Sequence, residues 1–189
     1  MSEISLCTLE EAKRFYDITT SKAEDDTLIE ELITRVSSLF HSYIGIDQVK
    51  SKVYTEYYDG DGTEYLFLDK VPVISITSIH EDNDWTFGSD VLLDPLTYRV
   101  ANKRYITLKD DVFAPGTQNI KVVYTAGYAV VPEDIKQVCI EEAIRRFKNR
   151  NNFDLVSKNM PDGSVSYSEK GLLRSTTDVL NKYKRVTVF

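Results

Sequence analysis

The stretch Asn119–Arg150, NIKVVYTAGYAVVPEDIKQVCIEEAIRRFKNR, decides the fold, because it predicts a strand, a turn and a helix in direct succession. Every second residue from Ile120 to Tyr124 is apolar, which is the period of a strand. Gly127 adopts a positive φ at little cost, so the chain can turn there. Pro132 suits the first turn of a helix, where its missing N–H needs no partner.

The helix that follows, predicted over 132–150, carries charges that match its dipole. Glu133 and Asp134 lie near the positive N-terminus. The C-terminal half ends in four basic residues that we interpret as a candidate interface: Arg145, Arg146, Lys148 and Arg150.

Capping residues and apolar periodicity predict three more helices. Thr8 and Thr27 are each followed three residues later by a glutamate, the capping-box pattern, and predict helices over 8–16 and 27–44. Apolar residues at helical spacing predict a short amphipathic helix over 172–183.

Residues 52–125 have a different composition, rich in Tyr, Val, Ile and Thr and interrupted by turn residues. The Asp59–Gly62 sequence predicts a hairpin loop between the first two strands. The regular spacing predicts an antiparallel β-meander inserted into a helical bundle, which makes the chain α+β. The strands are expected near 52–58, 64–68, 73–80, 98–100, 104–108 and 119–125.

The C-terminal part differs from the rest in charge. Residues 145–189 contain ten Lys and Arg against four Asp and Glu, a net charge of +6, so residues 1–144 carry −13 of the total of −7. We predict a core over 1–150, followed over 151–189 by a loop, the short helix and a docking tail. An acidic body with a basic tail favours docking between copies or onto an acidic partner, although two solvated surfaces of opposite sign explain the charges equally well.

Motifs for catalysis and cofactor binding are missing, so the sequence predicts no enzyme, no cofactor and no metal site. The turn Asp59–Glu64 resembles the start of a calcium loop, but the glycine and glutamate that such a loop needs are absent. Two alternatives remain open at this point. One is a metal-dependent hydrolase that uses this turn and the acidic turn Glu81–Asp84, and the other is a monomeric ligand-binding module that uses the Tyr-rich sheet.

The lack of a recognised targeting signal and the cysteine usage favour a protein made in a reducing cytoplasm. No apolar run approaches the ~20 residues that span a bilayer, and no signal peptide is recognised. Cys7 and Cys139 are far apart in sequence, so we expect no disulfide framework, and Cys139 is expected to be a small buried hydrophobe.

Three segments together carry a family resemblance over most of residues 6–150. VVYTAGYAVVPEDIKQVCIEEAIRRFKNR, LCTLEEAKRFYDI…DDTLIEELITRVSSLFHSYIG and YYDGDGTEYLFLDKVPVISITSI resemble the head–tail connector (adaptor) proteins of long-tailed double-stranded DNA phages. The resemblance implies a dodecameric ring in the virion neck. Such a ring joins the portal protein to the head-completion (stopper) or tail-completion protein and lets genomic DNA pass without binding it specifically. The long β insertion and the long tail depart from the shorter, mostly helical members of that family.

The tail is the strongest candidate for contact with the portal or a neighbouring copy. Its alternating apolar end suits an extended strand added to a sheet edge. The expected docking residues are Arg174, Lys182, Lys184, Arg185, Val186, Val188 and Phe189.

Overall fold

A computed structural model of the chain describes residues 4–16, 22–150, 157–160, 163–166 and 171–184. These residues form an α+β fold. The helices are α1 (Leu9–Phe15), α2 (Ala23–Ile44), α3 (Glu133–Lys148) and α4 (Arg174–Asn181). The strands are β1 (Lys52–Gly60), β2 (Tyr65–Phe67), β3 (Val73–Glu81), β4 (Tyr98–Ala101), β5 (Tyr105–Leu108), β6 (Gly116–Ala126), β7 (Ser157–Met160) and β8 (Gly163–Ser166).

The chain divides into two compact units. Residues Lys50–Val130 form the β unit, which is inserted between the two parts of the helical unit, Met1–Val49 and Val131–Phe189. Helices α1 to α4 belong to the helical unit, and strands β1 to β6 to the β unit. No helix among the described residues is long and apolar enough to cross a membrane.

The core of the helical unit lies between α2 and α3. Ile33, Val36 and Phe40 recur at helical spacing on α2 and are almost completely buried, as are Ile135 and Ile144 on α3. Burial of such a side chain contributes about 1.5–3 kcal/mol before the loss of conformational entropy is counted. This apolar contact is the main reason why α2 packs against α3.

The predicted helix start at Thr8 is confirmed, and the one at Thr27 is wrong. Thr8 and Glu11 form the expected capping box on α1. Helix α2 begins at Ala23 instead, and the Thr27 hydroxyl lies inside the helix, where it donates to the Ala23 carbonyl at 3.1 Å. The earlier start places three acidic residues in the first turn, where their negative charges interact favourably with the positive end of the helix dipole.

All six strands predicted for the β unit are present, but they are not ordered as a meander. The sheets have the orders β1-β6-β3 and β2-β5-β4. Strand β6 therefore lies between the first and third strands, with Lys52 opposite Ala126 and Tyr58 opposite Ile120. Because β1 and β2 belong to different sheets, Asp59–Gly62 is not the hairpin loop that the sequence predicts.

Burial explains why β6 takes the central position. Alternate residues of β6, including Ile120, Val122 and Tyr124, are fully buried, and they belong to the core cluster of the β unit. Neighbours on both edges satisfy the backbone N–H and C=O groups of a strand whose side chains lie in the core. Beyond its end, Gly127 has a φ of +108°, as the turn prediction requires, and a Cβ there would lie 2.7 Å from the Lys50 carbonyl oxygen.

The region 151–170, predicted as a loop, contains an antiparallel strand pair. Strand β7 pairs with β8, with Ser157 opposite Ser166. The sequence Pro161-Asp162-Gly163 is a strong turn signal that favours such a pair, and the weak apolar pattern around it hides the strands. Helices α3 and α4 have the predicted positions and end one to two residues inside the predicted limits.

Candidate protein interface

The basic end of α3 is organised around one buried carboxylate. Glu142 is completely buried, and its oxygens accept hydrogen bonds from Arg145 Nε at 3.1 Å, Arg145 Nη2 at 2.5 Å and Arg146 Nε at 3.1 Å. An Arg–carboxylate pair with two parallel bonds is a strong, geometrically specific contact. Arg145 and Arg146 therefore hold a charge inside the helical unit in addition to any role at an interface.

The other two basic residues of the α3 end also have intramolecular partners. The Lys148 Nζ lies 4.4 Å from the centroid of the Tyr16 ring. The Arg150 guanidinium stacks 4.0 Å from the Phe147 centroid and reaches Asp25 Oδ1 at 3.4 Å. The interface role of all four residues stays a prediction, and each of them also contributes to the packing of the helical unit.

Helix α4 is fixed to the helical unit by polar contacts at its C-terminal end. Tyr183 donates its hydroxyl to Asp134 Oδ1 at 2.6 Å, and Tyr43 donates to Asn181 Oδ1 at 3.0 Å. Leu180 is fully buried on the inner face of the helix. The helix is therefore part of the packed unit and presents only its outer face to a partner.

The predicted docking residues on and beside α4 lie on that outer side. Arg174 is exposed, and Lys182 is 65% exposed with its Nζ 3.7 Å from Asp134 Oδ2. Lys184 is exposed and lies over the Tyr43 ring, 5.1 Å from its centroid. The remaining predicted docking residues, Arg185, Val186, Val188 and Phe189, lie outside the described residues.

The β unit carries an aromatic surface in the Tyr-rich region that the ligand-binding alternative invokes, on residues that the sequence analysis did not name. On sheet β2-β5-β4, Leu66 and Ile106 point into the core, so their neighbours point outward. Tyr65 is 44% and Phe67 64% exposed, and both rings pack on Tyr105, with centroids 5.7 and 5.2 Å apart. Outward positions of a solvated sheet are usually polar, so three aromatic rings there favour contact with another protein.

This outer face also contains a shallow depression of about 510 Å³. Tyr65, Tyr105 and the highly exposed Leu96 line it together with the charged residues Arg99 and Lys109. Apolar rings surrounded by charged groups have the composition of a protein interface, with an apolar centre and a polar rim.

A second exposed aromatic residue, Trp85, is displayed by a loop that one carboxylate organises. The Asp82 oxygens accept from the backbone N–H groups of Asp84, Thr86 and Phe87 at 2.7–2.9 Å and from the Thr86 hydroxyl at 2.6 Å. These hydrogen bonds lower the pKa of Asp82 to about 2, and the one from the Thr86 hydroxyl contributes most to the shift.

The loop holds its tryptophan in an unusual backbone conformation. Trp85 and Phe87 have φ values of +58° and +49°, which non-glycine residues adopt rarely. The Trp85 side chain is 61% exposed, and its Nε1 donates to the Thr117 carbonyl at 3.0 Å. Since tryptophan is enriched among the residues that contribute most to protein binding, a tryptophan fixed on the surface is a candidate contact residue.

Three other acidic turn residues also accept hydrogen bonds from backbone N–H groups. Asp59 accepts from Gln118 N at 2.6 Å, Asp61 from Thr63 N at 3.0 Å, and Glu81 from Ala114 N at 2.9 Å. Among the residues that the structure describes, no three His, Cys, Asp or Glu side chains converge as metal ligands would. These carboxylates stabilise turns, which gives the hydrolase alternative no structural support.

The tyrosines inside the β unit form a satisfied hydrogen-bond cluster. Tyr58 and Tyr124 both donate to Glu56, and their oxygens accept from the backbone N–H groups of Asp69 and Lys70 at 3.0 Å. Burial, followed by the contact with Glu56, raises the pKa of both hydroxyls, so they remain protonated donors. The cluster anchors the chain after β2 and leaves no group poised for reaction.

Two packed units with exposed aromatic and basic surfaces, and carboxylates used for structure, define a protein that acts through contacts with other proteins. In agreement with this class, the sequence profile of the head completion protein family matches residues 5–186. The chain belongs to this family. It is a structural head completion protein and not an enzyme.

Three solved structures with a similar fold come from gene transfer agent particles. The chain is similar to a chain in the neck of an empty gene transfer agent particle computed with C6 symmetry, with a TM-score of 0.63 and 14% identity. It is also similar to chains in the virion of the native gene transfer agent particle (TM-score 0.62, 13% identity) and in its neck computed with C12 symmetry (TM-score 0.58, 15% identity). Each alignment covers all of this chain and 94% of the other. No curated protein matches the sequence.

Proposed function

We propose that twelve copies of this chain form a ring. The ring binds the portal protein on one side and a stopper or tail-completion protein on the other. The family match carries this proposal, and the symmetry of the necks that contain similar chains supports it. The ring works by shape and charge, with no covalent step.

The portal-facing element in this proposal is the C-terminal segment within 151–189. The outer side of α4 supplies Arg174, Lys182 and Lys184, and the chain continues into the basic and apolar tail residues 185–189. Cationic side chains beside a short sequence of alternating apolar residues suit a partner with an acidic rim and a free sheet edge. The basic end of α3 adds positive charge to the same unit.

The β unit supplies the contacts to a neighbouring subunit or to the next ring. Phe67, Tyr65 and Trp85 are large side chains that gain most from removal from water at an interface. Asp82 holds the Trp85 loop in one conformation before binding, which reduces the entropy lost on association.

Genomic DNA passes through the ring without being held. The net charge of −13 over residues 1–144 repels phosphates, so a channel lined by this part of the chain lets DNA slide.

The test is co-sedimentation of the purified chain with portal rings after a minimal truncation. Removal of residues 172–189 is unsuitable, because it deletes buried residues of α4 such as Thr176 and Leu180. A chain that ends at Lys184 keeps α4 intact and loses only the tail. We expect this truncated chain to keep the far-UV circular dichroism spectrum and unfolding temperature of the full chain and to lose portal binding at least tenfold.

A charge-matched pair of variants separates docking from general electrostatics. Lys182→Glu with Lys184→Glu changes two exposed cations of the proposed docking side, whereas Lys52→Glu with Lys103→Glu makes the same change in net charge at exposed positions of the β unit outside the aromatic surface. The first pair is expected to weaken portal binding and the second to leave it unchanged. Equal binding by the full chain, the truncated chain and both pairs contradicts the proposal.

A further inference from the structure

The only two cysteines of the sequence meet inside the helical unit. Cys7 lies directly before the N-cap of α1, and Cys139 lies in the middle of α3, 132 residues away. Their Sγ atoms are 3.9 Å apart, and the two residues are only 3% and 0% exposed. Both are free thiols in this structure.

Contacts on both sides of the pair hold the two backbones close together. Leu6, itself buried, donates its N–H to Ser37 Oγ at 3.0 Å, which fixes the segment before α1 against α2. On the other side, Lys136 Nζ lies 3.1 Å from Glu11 Oε1 and links α3 to α1. In a disulfide, the two Sγ atoms are about 2.05 Å apart. Rotation of the cysteine side chains moves each Sγ atom by enough to close the present separation of 3.9 Å to that length.

The two thiols are chemically unequal. Cys7 donates its S–H to Cys139 Sγ, and the Ser37 hydroxyl lies 3.6 Å from the same sulfur. The hydrogen bond that Cys139 accepts from Cys7 lowers the pKa of Cys139. The same hydrogen bond, together with burial, raises the pKa of Cys7, which is the donor. Cys139 is therefore the better nucleophile, and Cys7 keeps its proton until a second step.

We propose that Cys7 and Cys139 form an intramolecular disulfide when the virion leaves the reducing cytoplasm, with hydrogen peroxide as the oxidant. The Cys139 thiolate attacks one peroxide oxygen, the O–O bond breaks, and hydroxide leaves and takes up a proton to become water. Cys7 then attacks the sulfur of the resulting sulfenic acid, the S–O bond breaks, and a second water leaves with the proton from Cys7. Overall, two thiols and one peroxide give one disulfide and two waters.

Access to the buried sulfurs comes from local opening of the N-terminal segment. Helix α1 has only seven residues and one buried side chain, Ala12, and elements with few buried side chains open at a lower free energy than the core of a protein. Opening admits peroxide to the pair, and closing restores the contact with Cys7 that activates the Cys139 sulfur and then lets Cys7 attack it. The bond then ties this segment to α3 covalently, which strengthens the subunit in a particle outside the cell.

The test uses the full chain, purified under reducing conditions and then treated with hydrogen peroxide. We expect a monomer that has lost the mass of two hydrogen atoms, and a proteolytic fragment in which the peptides of Cys7 and Cys139 are joined. Because the bond closes a long loop, the unfolding temperature is expected to rise on the order of 10 °C and to return with dithiothreitol. Neck proteins from virions released into the medium, denatured in N-ethylmaleimide before reduction, should contain the same joined fragment.

Two variants serve as controls. Cys7→Ala and Cys139→Ala should each unfold close to the reduced wild-type chain and gain no stability from peroxide. If both thiols of the oxidised wild-type chain still react with N-ethylmaleimide after denaturation, the proposal is wrong. It is equally wrong if peroxide yields only disulfide-linked dimers or separately oxidised cysteines.

Discussion

The two units use acidic side chains in different ways. In the helical unit, carboxylates pair with basic side chains, as Glu142 does with Arg145 and Arg146. In the β unit, they accept hydrogen bonds from backbone N–H groups of turns, as Asp82 does from Asp84, Thr86 and Phe87. The comparison shows that an acidic composition does not by itself indicate a binding surface, because part of the negative charge is used inside each unit.

The largest expected effect that tests this comparison is the loss of Glu142. Glu142→Ala leaves two arginines without their buried partner, so the free energy of unfolding should fall by about 3–5 kcal/mol in chemical denaturation. Glu133, 80% exposed and paired with Lys136, is the matched control on the same helix. Glu133→Ala should lower it by less than about 1 kcal/mol. Equal losses in the two variants would show that burial of the pair is unimportant.

The second prediction concerns pH and the β unit. The pKa of Asp82 is about 2 in the folded protein, below the ordinary value of about 3.9. A lowered pKa stabilises the folded state above the ordinary value, and this stabilisation is lost as the pH falls through the folded one. In urea unfolding from pH 6 to pH 2, Asp82→Asn should therefore be less stable than wild type near pH 6, and the difference should shrink towards pH 2.

An independent variant tests the cause of the Asp82 shift. Thr86→Val removes the hydroxyl that contributes most to lowering this pKa. The carboxyl titration of Asp82, followed by NMR, should move to higher pH in this variant. An unchanged titration would assign the shift to the backbone donors alone.

The smallest expected effect is the ion pair between Arg150 and Asp25. Both side chains are partly exposed, at 40% and 33%, and their atoms are 3.4 Å apart. A double-mutant cycle with Arg150→Gln and Asp25→Asn should give a coupling of about 0.2–1 kcal/mol in low salt. Screening should abolish it at roughly 1 M NaCl, whereas the effect of Asp82→Asn should remain. A coupling that persists in high salt would remove this distinction between the units.

Local sequence signals predicted the elements well and their pairing poorly. The alternation around Ile120 to Tyr124 is a property of neighbouring residues, so the strand was recognised without knowledge of its partners. The pairing of Lys52 with Ala126 joins distant parts of the chain, and no local pattern encodes it. A meander was the simplest assumption, and it was wrong because β6, whose alternate side chains are buried, pairs with β1 on one edge and with β3 on the other.

The surfaces of the β unit were missed for a related reason. Phe67 and Tyr65 looked like ordinary strand residues, because only the position of the core shows which face is exposed. The sequence analysis considered Asp82 as a cation ligand. Its actual role depends on a loop with positive φ values at Trp85 and Phe87, and no sequence pattern predicts such values for non-glycine residues. The single tryptophan beside an acidic turn was the one available signal. The roles of Arg174 and the tail residues 185–189 stay predictions.

The base of the β unit has a consequence for how such chains diversify. Lys50 and Tyr128 form a parallel bridge, Ser51 N donates to the Tyr128 carbonyl at 3.0 Å, and the absence of a side chain at Gly127 permits the close approach. The first and last residues of the inserted segment therefore lie side by side. Related chains can therefore differ in the length or sequence of the β unit while the helices stay the same, provided that the contact between its two ends is kept.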